Sequence, residues 1–149
     1  MRLAVHGLTI LTSAFLLFAV QPMVGKALLP HLGGVPGAWT ACLLFFQGAL
    51  LVGYSYVWLG ARWSVRARVL IHVGLLGVAM FVLVPFAALG GPTWLEASDE
   101  PVAYAIFFLA GNVGLAFVIL SATAPLLSSW YAESGGGRPY FLYAASNAG

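Results

Sequence analysis

The sequence predicts an all-α, polytopic transmembrane protein with four membrane-spanning helices and a short C-terminal helical segment. Of its 149 residues, 62% are hydrophobic and only 7% are charged, and the mean hydropathy is +0.98. The charged residues all lie between or beside four long apolar stretches. A helix rises about 1.5 Å per residue, so stretches of this length suit a hydrocarbon layer about 30 Å thick. A water-soluble domain of this size could not hide so much apolar surface in one core.

The connections between the stretches are short. None is long enough to separate two domains, so we predict a single transmembrane helical domain over residues 1–149. Its predicted spans cover residues 3–20, 39–59, 69–89 and 102–127.

The first span reaches bilayer length only by continuing past Pro22. We expect Pro22 to kink this helix and Pro30 to end it, because proline removes a backbone donor and clashes with the preceding turn. Arg2 followed by an apolar stretch is also typical of a secretory signal. The stretch is longer than a usual signal core and no A-x-A cleavage site follows it, so we predict a retained helix.

The fourth span begins after an acidic segment, residues 96–100, which is followed by Pro101. Negative charge is favourable at a helix N terminus, and proline suits the first turn. A glycine run at residues 135–137 then leads to a last helical segment, predicted over 139–149. A span needs roughly 17 residues or more, so this segment either lies in the interface or against neighbours, or the sequence is the front piece of a longer protein.

Charge placement predicts the orientation of the spans. The link between the second and third spans carries Arg62, Arg66 and Arg68. The link between the third and fourth spans carries Glu96, Asp99 and Glu100 and no basic residue. Short basic loops stay on the cytoplasmic side of the membrane, so we predict a cytoplasmic N terminus.

Several stretches carry a family resemblance. They are Gln21 to Pro30, Leu32 to Trp39, Phe45 to Gln47, and Pro139 to Gly149. In this order they resemble the membrane region of bacterial fused transporter/spermidine-synthase-like proteins. The resemblance implies a helical fold in the bacterial inner (cytoplasmic) membrane. Members of that family have further helices and often a soluble aminopropyltransferase-like domain, whose acidic active-site motifs have no counterpart in these residues. The resemblance therefore implies no catalytic residue.

Two amide side chains lie at membrane depth. Gln47 in the second span and Asn112 in the fourth have similar predicted depth, which makes them partners for an interhelical hydrogen bond. The alternative is a site for a polar substrate or ion. Small residues spaced for close helix approach, Ala49 with Gly53 and Ala110 with Gly114, also predict helix packing.

Histidine provides the one cofactor hypothesis. His6 and His72 both lie just inside the predicted cytoplasmic ends of their spans. Two facing histidines can ligate haem iron or each hold a chlorophyll magnesium. The alternative is that both are interfacial and bond to backbone or lipid headgroups. Lipid is the one bound molecule that we expect on composition.

Lys26 and His31 lie in the predicted outer loop. Together they could contact an anionic headgroup or a partner. Lys26 alone either extends its ammonium group to the interface or forms a salt bridge with the acidic segment 96–100.

Other chemical classes find no support in the residues. The single Cys42 has no disulfide partner in the chain, and no ligand set for a metal ion stands out. The Gly135–Gly137 run lacks the Lys-Ser/Thr of a phosphate loop, and no spacing of serine, histidine and acid suggests a catalytic triad. The net charge of +2 is explained by the basic loops, so we expect no nucleic-acid partner.

Two functions remain. The first is a non-catalytic membrane subunit or scaffold that packs against a larger bacterial complex, respiratory or photosynthetic, with membrane lipids and other membrane subunits as partners. The alternative is the membrane part of a transporter-like permease for a small polar or cationic solute. Coupled transport usually places ionisable groups at the midplane, and the spans have none there, so the sequence favours the subunit.

Overall fold

The helices of the structure follow the apolar stretches of the sequence. The computed structural model describes residues 2–32, 36–89, 101–135 and 140–148, with side chains for all of these except 2, 29–32, 38, 83–89 and 101. The helices are α1 (Arg2–Leu32), α2 (Pro36–Gly60), α3 (Val65–Leu89), α4 (Pro101–Leu109), α5 (Leu115–Glu133) and α6 (Tyr140–Ala148). The predicted all-α fold, with four membrane-length helices and a short C-terminal helix, is confirmed.

Four segments of these helices are long and apolar enough to cross a membrane. They are Leu3–Leu28, Trp39–Gly60, Val65–Val82 and Val102–Glu133. The last segment joins α4 to α5 through one π-helical turn, Ala110–Gly114, so the two helices form one continuous span.

Prolines do not end α1. The helix runs on through Pro22 and Pro30 to Leu32, so the prediction that Pro30 ends it is wrong. The physical reason is position: Pro30 lies two residues before the end of α1 and beyond the apolar segment Leu3–Leu28, so its missing backbone donor removes one bond from the last turns without stopping the helix. Pro125 likewise lies inside α5.

The α4–α5 span lies at the centre of the bundle. Helices α1, α2, α3 and α6 all pack against α5. In an apolar 18-residue stretch of the α4–α5 span 56% of the residues are buried, against 17% in such a stretch of α3. Three membrane-length helices and the short α6 therefore surround the central span, and most of the surface of the outer helices faces away from the protein.

Two ends of the bundle can be told apart. His6 near the start of α1 packs on Tyr131 at the end of α5, with ring centroids 5.7 Å apart. Arg68 near the start of α3 pairs with Glu133, also at the end of α5. We call this the arginine end: the N terminus of α1, the turn between α2 and α3, and the C terminus of α5.

The short helix α6 starts at the arginine end and packs against α1. Phe141 lies beside Gly7, where an added Cβ would be 3.2 Å from the phenyl ring. Further along, Ser146 and Asn147 share a cavity with Ser13. Helix α6 therefore runs parallel to α1, into the span region, rather than lying across the end of the bundle.

Helix α2 approaches α5 most closely at Gly53. A Cβ at this position would overlap the Ser121 hydroxyl oxygen and would lie 2.8 Å from the Val118 carbonyl oxygen. Ala49, one turn earlier, is also buried. The predicted use of Ala49 and Gly53 for close packing is confirmed, because any larger side chain at Gly53 would push the two backbones apart.

Candidate functional site

Asn112 lies in the π-helical turn of the central span and is buried. Its side-chain amide donates a hydrogen bond of 2.6 Å to the carbonyl oxygen of Phe108, four residues earlier. In a π turn the backbone bonds run from i to i+5 rather than i+4, and the Asn112 side chain ties this turn to the last turn of α4. The amide therefore stabilises an irregular turn within its own helix.

Among the described side chains, Gln47 forms no hydrogen bond with Asn112. It is exposed on the surface of α2, while the preceding residue, Phe46, is buried in the core. Successive helical residues lie about 100° apart around the axis, so Gln47 points away from α5. The interhelical amide pair expected from depth is thus not formed, because equal depth does not fix the direction in which a side chain points.

A polar cavity that the sequence analysis missed lies between α1, α2, α5 and the end of α6. Its volume is about 260 Å³. Its polar lining residues are Ser13, Gln21, Tyr54, Ser121, Ser146 and Asn147. On α1, α2 and α5 these residues lie near the middle of the spans, so the cavity is at membrane depth.

Two of the cavity hydroxyl groups are already used as donors. Ser13 donates to the Ile10 carbonyl at 2.9 Å, and Ser121 donates to the Val118 carbonyl at 2.8 Å. Their oxygens retain lone pairs that can accept a bond. No hydrogen bond within the described part of the chain involves the side chain of Gln21, which could both donate and accept.

A second polar cluster lies at the arginine end, between α3 and α5. Arg68 is only 6% exposed. Its guanidinium donates to a Glu133 carboxylate oxygen at 2.5 Å and to the Ser129 hydroxyl at 3.5 Å. The pairing compensates part of the cost of burying a positive charge, and it fixes α3 against the C-terminal turn of α5.

His72 lies one turn further along α3 and is also buried. Its Nε2 is 3.2 Å from the Thr123 hydroxyl oxygen, and Thr123 donates its own proton to the Ile119 carbonyl. With the Thr123 proton directed to Ile119, the Nε2–H tautomer of His72 is the one that can donate to Thr123. The His72 ring stacks on Tyr56 and meets Trp130 edge-on, with centroids 6.1 Å and 6.3 Å away.

Both predicted histidines are at the arginine end. His6 packs on Tyr131 and His72 on Trp130, two neighbouring residues of α5. Nε2 of His72 lies 3.2 Å from the Thr123 hydroxyl oxygen, so that nitrogen already has a partner. The haem or chlorophyll site predicted for the two histidines stays a prediction.

The outer-loop residues are only partly covered by the structure. Lys26 lies in the last turns of α1 and is exposed. The His31 side chain and the acidic segment 96–100 lie outside the described residues, so the contacts predicted between them stay predictions.

The fold and these sites define a multi-pass helical membrane protein with a central span, a polar cavity at membrane depth and a buried ion pair at one end. Searches against protein-family models, curated proteins and solved structures found no match for the chain. Its function must therefore be argued from its own residues.

Proposed function

We propose that the chain is a non-catalytic integral membrane subunit or scaffold that packs against other proteins of a larger bacterial membrane complex, respiratory or photosynthetic. The observation that carries the proposal is the outward direction of Gln47. An amide at membrane depth that faces lipid has no hydrogen-bonding partner, which is energetically costly. A polar side chain on a helix of another protein would provide one.

The surroundings of Gln47 suit a partner helix. Leu44 and Leu51 are exposed on the same surface of α2. A Cβ built on Gly48 meets nothing within 4 Å, so the surface is open beside the amide. Small residues at such a surface let two helices approach closely, and an amide between them fixes the pairing.

We further propose that the protein lies in the bacterial inner membrane with its N terminus in the cytoplasm. Arg62 and Arg66 are exposed at the arginine end, which supports placing that end on the cytoplasmic side. In a Cys42→Ala background, Ser64→Cys should react with an impermeant thiol reagent only from the cytoplasmic side. Reaction only from the outside would reverse the orientation.

Copurification tests the subunit role. The tagged chain, extracted in mild detergent from its own membranes, should carry other membrane proteins in fixed stoichiometry. Gln47→Leu should lower their recovery severalfold. Gln21→Leu is the matched control, since it removes the same amide from the cavity rather than from the outer surface, and it should leave recovery unchanged. Recovery of the wild-type chain alone, or only as a homo-oligomer, would contradict the proposal.

The polar cavity favours a second candidate, the membrane part of a transporter-like permease related to fused spermidine-synthase-like proteins. Polar groups that line a cavity at membrane depth are typical of solute pathways. A permease would be recovered without stoichiometric companions, and reconstituted vesicles would take up its solute. These two outcomes separate it from the subunit.

A further inference from the structure

The polar cavity presents an unusual surface for the middle of a span. Gln21 and Asn147 each bring an amide to it, and Tyr54 brings a phenol hydroxyl. None of these three side chains takes part in a hydrogen bond within the described ranges. Each can donate and accept, while Ser13 and Ser121, whose protons are already committed, add acceptor oxygens only.

No charged residue is among the described residues that line the cavity. Besides the polar residues, the lining consists of Ala14, Leu17, Phe18, Leu50, Leu120 and Ala124. A charged ligand would lose its hydration there and gain no counter-ion, which is strongly unfavourable. The charged side chains of Arg68 and Glu133 pair with each other at the arginine end and do not line the cavity. The chemistry of the lining therefore selects an uncharged ligand that carries both donors and acceptors.

Size narrows the ligand further. The cavity volume of about 260 Å³ corresponds to about nine water molecules at roughly 30 Å³ each. A five-carbon polyol or a five-carbon diamide is smaller than this and fits the cavity. Phe18, Tyr54 and Asn147 are exposed, so the cavity opens to the surface of the bundle and a ligand need not cross the packed core to enter it.

We propose that this cavity is a binding site for a small uncharged solute bearing several hydroxyl or amide groups, with Gln21 and Asn147 as its principal hydrogen-bonding residues. The proposal goes beyond the subunit role. If the chain is a permease, the site also defines its substrate class and narrows the predicted polar or cationic solute to a neutral one. That statement about the substrate rests on the permease candidate, whereas binding itself requires no transport.

Equilibrium dialysis of the detergent-solubilised chain tests the site with three tritiated five-carbon probes: xylitol, pentanediamide and 1,5-diaminopentane. The first two are neutral, and the third is a dication of the same chain length. At least one neutral probe should bind saturably at one per chain, and the dication should not. Saturable binding of neither neutral probe, or of the dication alone, would overturn the proposal.

Variants locate the binding. Gln21→Leu and Asn147→Ala should each weaken binding of the neutral probe about tenfold or more, since each leaves a polar group of the bound solute unpaired. Asn147 is exposed at the end of α6, so its variant should fold even if Gln21→Leu does not. Gln47→Leu should bind like the wild type. Unchanged binding in Asn147→Ala would place the probe elsewhere and overturn the assignment.

The binding measurement can succeed or fail independently of the two functional proposals. Binding of a neutral probe without uptake into vesicles would refute the permease and keep the site. Loss of companions on Gln47→Leu concerns only the subunit role.

Discussion

The two faces of α2 are both apolar, yet they contact different surroundings. Phe46, Ala49 and Gly53 lie on the face that packs against the central span. Leu44, Gln47 and Leu51 lie on the face that points away from the bundle. In a soluble protein the outer face would be polar. In a bilayer, lipid chains are as apolar as leucine, so hydrophobicity alone does not separate the packed face from the free one.

The largest expected difference is in how much a Gly→Ala substitution, which adds one methyl group, lowers the stability of the protein at the two positions. Gly53→Ala should lower the free energy of unfolding by about 2 to 3 kcal/mol, because the Val118 carbonyl is part of the backbone and cannot move aside cheaply. Gly48→Ala is the matched control, because a Cβ at this exposed position meets nothing within 4 Å. Thermal unfolding in detergent should separate the two variants. Equal midpoints would show that the close approach of α2 and α5 is not formed.

The same contrast between buried and exposed positions extends to the charges of the arginine end. Glu133→Gln should cost about 1 to 2 kcal/mol, because it leaves the buried guanidinium of Arg68 without its charge partner, while Glu133 itself is 44% exposed. Arg62→Gln in the exposed turn should cost almost nothing. A Glu133→Gln variant as stable as Arg62→Gln would mean that the pair does not hold α3 to α5.

The smallest expected difference concerns the two amides. Asn112→Leu should destabilise the isolated chain by about 1 kcal/mol, the usual scale of a hydrogen bond within a membrane, because the Phe108 carbonyl loses a donor. Gln47→Leu should leave the isolated chain as stable as the wild type or slightly more stable. Chemical denaturation in mixed micelles measures both. A larger loss for Gln47→Leu than for Asn112→Leu would reverse the assignment of inner and outer amide.

Much of the fold was predictable, because long apolar stretches without charged residues mark the membrane-spanning helices directly in the sequence. Four apolar stretches gave four membrane-length helices, and Ala49 with Gly53 correctly indicated the packed face of α2. The continuation of α1 through Pro30 was missed, since a proline near a helix end removes only one backbone bond and need not stop the helix there.

The candidate sites were less predictable, because they depend on the direction of side chains around nearly uniformly apolar helices. Gln47 and Asn112 have similar depth but different directions. Gln21 lies one residue beyond the predicted first span and was not considered as a cavity residue. The π-helical turn around Asn112 has no residue pattern of its own, and a single turn of this kind is enough to rotate everything after it.

Photo-crosslinking in native membranes tests most directly whether the outer face of α2 is an interface. A photoreactive amino acid replaces Leu51, on the same face as Gln47, and in a second variant it replaces Phe81 on α3; these residues are 68% and 80% exposed. The account predicts a discrete crosslinked product with another membrane protein from position 51 and only lipid adducts from position 81. Lipid adducts alone from both positions would contradict it.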